Sequence, residues 1–267
     1  MKPSVLVTGA SSGIGAATVA LLQSSGFEVF GTSRNPEALD PGLPSIRWIA
    51  MDVREDESVR KGVEQVLGAV GQLDALVCNA GCGIFGSVEE VPISAAKEQF
   101  ETNFFGTLRT LRAALPSMRE AGRGRVVLVG SLAGRAPIPF QAHYSASKAA
   151  TDALALALRN ELEPTGVSVS LVEPGDINTP FNARMDWGDG ASSAYGERIH
   201  RAEAVIRKSL PRAPGPELVA RAIHRALTAR RPRVRYSVGP ESLAVPLGRR
   251  LLPDWLTLRL IRSHFRV

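Results

Sequence analysis

Ser4-Val5-Leu6-Val7 is a short apolar run that passes at once into Thr8-Gly9-Ala10-Ser11-Ser12-Gly13-Ile14-Gly15, and the spacing is helical from residue 16 to 24. A buried strand, a glycine turn and a helix in that order constrain the fold more than any other stretch, because together they form the entry to a dinucleotide-binding fold. Glycines let the backbone approach a pyrophosphate, while the first turn of the helix offers unpaired N–H groups and the positive end of its dipole. The spacing is G-x-x-x-G-x-G and not the commoner G-x-G-x-x-G. A glycine turn that holds no ligand is the plain alternative.

The same alternation continues along the chain. Strands are predicted at 28–32, 46–51, 75–77, 125–130, 167–172 and 234–238, with helical patterns at 56–67, 94–121, 144–163 and 216–229. Strands alternating with helices predict an α/β fold, a Rossmann-like doubly wound parallel sheet of about seven strands with helices on both faces. At 267 residues and 44% hydrophobic, residues 1–267 suffice for a single domain with a large core. In such sheets ligands sit at the carboxyl ends of the strands, and Gly9, Arg34, Asp52, Asn79 and Ser131 all fall there.

Many NAD-binding folds end the second strand in an acid that holds the ribose 2′-hydroxyl. Here that end reads Thr32-Ser33-Arg34. A guanidinium can pair with a 2′-phosphate that an acid would repel, which puts NADP(H) ahead of NAD(H). The alternative is that Arg34 is only a surface charge.

The stretch 131–148 carries the chemistry. Tyr144 and Lys148 are four apart at the start of a helical pattern, hence on one face and one turn apart. A free phenol titrates near ~10, and a nearby ammonium is expected to lower that value, making Tyr144 a usable acid or base. Ser131 ends a strand and returns beside Tyr144 if 132–143 folds back, where its hydroxyl would hold a substrate oxygen. Tyr-x-x-x-Lys alone is common on solvated helix faces. Asn103 sits in the middle of a helical pattern, where Asn is mildly unfavourable. It is either exposed, or it holds a water or kinks the backbone.

Beyond the sheet, residues of about 180–209 mix Phe181, Met185, Trp187 and Tyr195 with Gly188 and Gly190, as expected of a mobile lid over an apolar substrate. Phe181 and Met185 are its candidate substrate contacts. The tail, about 243–267, alternates leucines with Arg249, Arg250, Arg259, Arg262 and Arg266, and Pro253 divides it into two short helices. Such a tail packs on its own domain or on a partner subunit, or lies on an anionic membrane as a basic amphipathic helix; the first two are preferred here.

Composition excludes several classes. No apolar run reaches the ~18 residues of a membrane span, and the run after Met1-Lys2-Pro3 is too short for a signal-peptide core. Cys78 and Cys82 offer no disulfide framework, as expected of a reduced, cytoplasmic protein. The net charge is +6, with 27 of the 32 basic residues arginine, which suits anionic ligands. The basic residues are not interleaved with stacking aromatics, so no nucleic-acid partner is expected. His143, His200, His224 and His264 are scattered and no metal site is expected. No G-x-S-x-G elbow is present.

Taken together, these residues resemble the short-chain dehydrogenase/reductase superfamily over about residues 4–180. The segment 8–15 resembles its cofactor motif, Asp52 (followed by Val53) its adenine-contacting acid, and Asn79-Ala80-Gly81 its strand-four motif, with Cys78 in place of the usual Asn. Asn103, Ser131, Tyr144 and Lys148 match its catalytic tetrad, and Pro174-Gly175, Ile177 and Thr179 its nicotinamide-side motif. Thr102-Asn103-Phe104-Phe105-Gly106-Thr107 and Ser33-Arg34 are similar to the 17β-hydroxysteroid and retinol dehydrogenase branch. The resemblance implies an NADP(H)-dependent enzyme interconverting a carbonyl and an alcohol on a bulky hydrophobic substrate such as a steroid or retinoid. Tyr144 would be the acid/base, Lys148 would lower its pKa and bind the nicotinamide ribose, Ser131 would position the substrate oxygen, and Asn103 would anchor a water. It also implies a homodimer or homotetramer through the long helices at 94–121 and 144–163. Two alternatives stay open: reduction of a carrier-bound 3-oxoacyl group, and a non-catalytic NADPH-binding sensor or partner protein.

Overall fold

Strands of four apolar residues without polar alternation persist only where both faces are covered, and this chain supplies the cover. The computed structural model describes residues 2–40, 42–44, 46–187 and 194–267. Its strands are β1 (Ser4–Val7), β2 (Glu28–Ser33), β3 (Arg47–Ala50), β4 (Ala75–Cys78), β5 (Gly124–Val129), β6 (Val167–Pro174) and β7 (Arg235–Val238). They form one parallel sheet in the order β3-β2-β1-β4-β5-β6-β7. The helices are α1 (Gly13–Ser24), α2 (Asp56–Val70), α3 (Ile93–Phe100), α4 (Gly106–Glu120), α5 (Ala142–Leu162), α6 (Pro180–Ala183), α7 (Glu197–Ser209), α8 (Glu217–Thr228), α9 (Ala244–Leu251) and α10 (Asp254–Phe265).

Because strand side chains alternate, Leu6, Leu76, Val126 and Leu128 pack on the side of α2, α4 and α5, while Val5, Val7, Val77, Val127 and Val129 pack on the side of α1 and α8. Each transfer of such a side chain from water contributes roughly 1.5–3 kcal/mol, so the sheet is a rigid platform. Strand order reverses between β1 and β4, and the loops leaving those two strands diverge to open a crevice.

Three elements differ from the sequence expectation. The helix predicted over 94–121 is broken: α3 and α4 are joined by a π turn, Glu101–Phe105, in which the Gly106 N–H reaches back five residues to the Glu101 carbonyl. Such an inserted turn keeps helical direction but turns one side chain, here Asn103, onto a new face. β6 runs two residues further than predicted, past Glu173 to Pro174, where it pairs with β7, and the Glu173 carboxylate there is fully buried and neutralised. Glu173 accepts from Arg135 Nε at 2.6 Å and Nη2 at 3.0 Å, and from Arg235 Nη1 at 2.6 Å. Arg235 also donates to Asp152 Oδ2 at 2.9 Å.

Third, the region expected as an irregular lid is largely helical, with α6 and the whole of α7. Phe85 and Asp186 pair by a backbone bond of 2.7 Å, and Phe85, Met185, Ile199, Ala202 and Ile206 make a small third core against which Phe265 and Val267 lean. Gly188 and Gly190 lie outside the described residues. The tail forms the two helices expected, with Pro253 between them.

Replacing Glu173 by leucine leaves two arginines facing each other without their shared carboxylate. Breaking a buried pair in this way costs about 3–5 kcal/mol. The expected result is a lowered urea midpoint in Glu173→Leu with an unchanged slope; a midpoint equal to that of the parent would show the network to be dispensable.

Candidate active site

One cavity of about 880 Å3 runs from the glycine turn after β1, past the ends of β4, β5 and β6, to the inner faces of α9 and α10. At its first end the turn is built for close approach. Gly9 has φ +62°, and a Cβ there would lie 2.8 Å from Ala80 Cα. The side chain of Ser12 makes no cap to α1, so the first N–H groups of that helix remain available to an anion. Ser11, Ser12, Gly13 and Ile14 line this end, and Ser33, Arg34, Asp52 and Val53 line the wall beside it. Arg34 is exposed and, among the described residues, in no ion pair. Asp52 is engaged by Arg54 at 2.6 Å, which holds its carboxyl below the usual range.

Two residues expected on the cofactor do not reach the cavity surface. Thr8 is buried, and its hydroxyl accepts from the Asn79 and Ala80 N–H groups at 2.9 and 3.1 Å. Gly15 is buried too, because a Cβ there would collide with the Gly9 carbonyl and the Asn79 amide. Asn79 in turn donates to the Thr8 and Gly9 carbonyls at 3.0 and 3.1 Å, while Asn79, Ala80 and Gly81 still form the floor. These groups shape the turn from beneath.

Farther in, Ser131, Tyr144, Lys148, Pro174, Gly175, Ile177, Thr179, Phe181 and Met185 line one continuous wall, so three of the four predicted catalytic residues and the predicted substrate contacts converge. Ser131 Oγ accepts from the Ala133 N–H at 3.1 Å and reaches the Pro174 carbonyl at 3.4 Å. Phe140, one turn ahead of Tyr144, is held in the left-handed region at φ 61° by its ring contacts with Phe85 and Tyr195. That conformation is disfavoured for a bulky residue and fixes where α5 begins.

The electrostatics of the Tyr144 and Lys148 pair correct the expectation that the ammonium lowers the phenol. Burial pushes Tyr144 up to about 12, with the Ser131 hydroxyl pulling the other way. Burial also pulls Lys148 down to about 8, against the opposing pull of Cys82 and Asp152. The Lys148 Nζ lies 5.9 Å from the Tyr144 ring centre and donates to the Val129 carbonyl at 3.0 Å. Burial is the largest influence on each group, and Tyr144 keeps its proton at neutral pH.

Asn103 sits in the π turn, so the helix departs from regularity at this residue, one of the alternatives expected for it. It is 1% exposed and off the cavity wall. Its Oδ1 accepts from Cys82 N–H at 2.8 Å, and its two amide protons go to the Cys82 carbonyl and to Ser147 Oγ, both at 3.0 Å. With both donors taken by protein, the side chain is a clamp between the π turn, the loop after β4 and α5.

Several groups escaped sequence reasoning. Arg184 donates to Ser12 Oγ at 3.1 Å across 172 residues, reaching over the anion end of the cavity. Glu241 Oε2 and Thr257 Oγ1 are buried, line the cavity and have no hydrogen-bond partner among the described residues. None of these belongs to a local motif; only tertiary folding brings them to the site.

With this geometry in hand, comparison with known proteins is informative. A family model described as short chain dehydrogenase matches residues 3–188. The chain is 37% identical to a 3-ketodihydrosphingosine reductase of Bacteroides thetaiotaomicron over 271 residues, covering 100% of both chains. It is 35% identical to human 17-beta-hydroxysteroid dehydrogenase type 1 over 94% of this chain and 81% of that one. A solved short-chain dehydrogenase from Burkholderia cenocepacia in complex with NADP superposes with a TM-score of 0.78 at 25% identity, covering 97% of each chain. The chain belongs to the short-chain dehydrogenase family, and its similarity extends to the 17β-hydroxysteroid branch. It is accordingly an oxidoreductase acting at the carbonyl and alcohol level.

Gly9→Ala would force a side chain into the left-handed region against Ala80, at a cost of about 1–3 kcal/mol. Thermal melting of the cofactor-free protein should show a matching drop in Tm, and an unchanged Tm would contradict the tight turn described.

Proposed function

We infer that the protein reduces a ketone on a long, lipid-like substrate with NADPH, and the observation that carries this reading is the continuity of the cavity from Arg34 through Tyr144 to the apolar helices of the tail. The cofactor end fits a dinucleotide phosphate: unpaired helix N–H groups, Arg184 above Ser12, and exposed Arg34 where a 2′-phosphate would need a cation. Bound there, NADPH supplies the hydride that converts a carbonyl to an alcohol. Tyr144, protonated at neutral pH, gives its proton to the substrate oxygen, and the Ser131 hydroxyl beside it orients that oxygen. Lys148, cationic below about pH 8, favours the phenolate that remains after proton transfer. Asn103 holds the Cys82 loop and α5 in register, so that the hydroxyls meet the substrate in one geometry.

The far end of the cavity selects the substrate class. Val245, Leu252, Ile261 and Phe265 offer an apolar sleeve, and the unpartnered Glu241 oxygen beside Gly175 is placed to accept from a substrate amine or hydroxyl. The full-length similarity to a reductase of a long-chain amino ketone supports this reading over a steroid or retinoid. Phe105 and Leu156, exposed on the two helices expected to pair subunits, support a homo-oligomer.

The test is NADPH oxidation against 3-ketodihydrosphingosine, a ketosteroid, retinal and a 3-oxoacyl thioester, with the first expected to give the highest kcat/KM. Tyr144→Phe should lose turnover by roughly 10²–10⁴-fold while still binding NADPH; near-normal turnover would remove Tyr144 from its role. Reduction should be level with pH up to about 8 and fall above it as Lys148 loses its charge. That alkaline limb should vanish in Lys148→Met. Arg34→Ala should raise the KM for NADPH about 10–100-fold, as expected for a lost charged hydrogen bond of ~1.5–3 kcal/mol, and leave the KM for NADH little changed.

A further inference from the structure

Among the described residues, six of the eleven large apolar side chains that stand exposed lie in the last 25 residues. In and just before α9, Leu243, Leu247 and Leu251 repeat at i, i+4 and i+8 and are 81%, 58% and 67% exposed. On α10, Trp255 and Leu258 share a face with Arg259 and Arg262 and are likewise exposed. The inner faces of the same two helices line the cavity through Val245, Leu252 and Ile261. The tail is therefore a wall with two apolar sides, one turned to the substrate and one uncovered.

We propose that this outer face docks the protein on an anionic lipid surface, with the mouth of the substrate cavity at the bilayer. Charge selects this occupant. Residues 243–267 hold five arginines against one aspartate, and that aspartate is spent on Arg249 at 2.7 Å. Arg250, Arg259 and Arg262 flank the leucines and, among the described residues, have no ion-pair partner. An isologous contact with a second copy would set these arginines against their own counterparts. Lipid phosphates satisfy them while acyl chains cover the leucines and the tryptophan. Docking stands on the surface alone; its use in delivering a lipid-like ketone rests on the reductase reading above.

The full chain is mixed with vesicles of equal parts phosphatidylglycerol and phosphatidylcholine, or of phosphatidylcholine alone, and sedimented. Binding is expected to be at least about tenfold stronger to the anionic vesicles and to weaken with added salt. A Leu247→Gln, Leu251→Gln double variant should lose that binding while its turnover of a short, water-soluble ketone stays at the parent level. Wild-type protein left in the supernatant, or vesicle binding equal in the variant, would overturn the proposal. So would a variant that dissociates in sedimentation velocity yet still binds vesicles, because a second copy would then be the occupant. Vesicle binding is read without turnover: a chain that binds vesicles but reduces no ketone defeats the reductase reading and leaves the docking intact.

Discussion

The tie between β1 and β4 is the constraint on which the site depends. The Thr8 hydroxyl takes two N–H groups from the loop after β4, and the Asn79 amide returns two bonds to the carbonyls of Thr8 and Gly9. At this point the strand order reverses, so the loops on either side must part. Without the tie, the Asn79 and Ala80 N–H groups and the Thr8 and Gly9 carbonyls, all part-buried, would lose these partners, at up to roughly 1–3 kcal/mol each. With it, the glycine turn is held against the sheet while its upper face stays free. Residues beneath a site and residues lining it thus do separate work, although one motif contains both.

A second theme is desolvation. Lys148, Tyr144, Asp152 and Glu173 all stand in or under the wall built on β5 and β6. Glu173 is neutralised by two arginines, whereas burial raises Asp152 to about 6, opposed by Arg235. Tyr144 and Lys148 have no such neutralisation: both groups move toward their uncharged forms, the phenol upward and the amine downward. A protonated phenol suits reduction, since it is already the proton donor.

The tail brings the two ends of the chain's physics together. Its helices line the cavity with apolar side chains on one side and keep leucines in solvent on the other. Exposed apolar area on this scale is seldom without a partner. A surface that carries exposed leucines, a tryptophan and arginines together offers apolar groups to acyl chains and cations to headgroup phosphates. The same geometry would shorten the path of a poorly soluble ketone into the site.

Much of the fold was legible along the chain, because strand and helix periodicities are local properties and the glycine turn demands a backbone that few other residues tolerate. The sequence by itself determined the parallel α/β sheet, the glycine turn, the placing of Arg34, and the spacing that puts Tyr144 and Lys148 on one helix face. It also signalled Asn103, through a polar residue where a regular helix does not want one. Tertiary structure alone decided that Thr8, Gly15 and Asn103 lie beneath the cavity wall, that Arg184 and Glu241 reach the cavity, and that burial dominates the phenol. These outcomes depend on which groups exclude water from which others, across separations as long as the 172 residues between Ser12 and Arg184. Hydrogen-bond partners and desolvation belong to the packed molecule, and no local pattern encodes them.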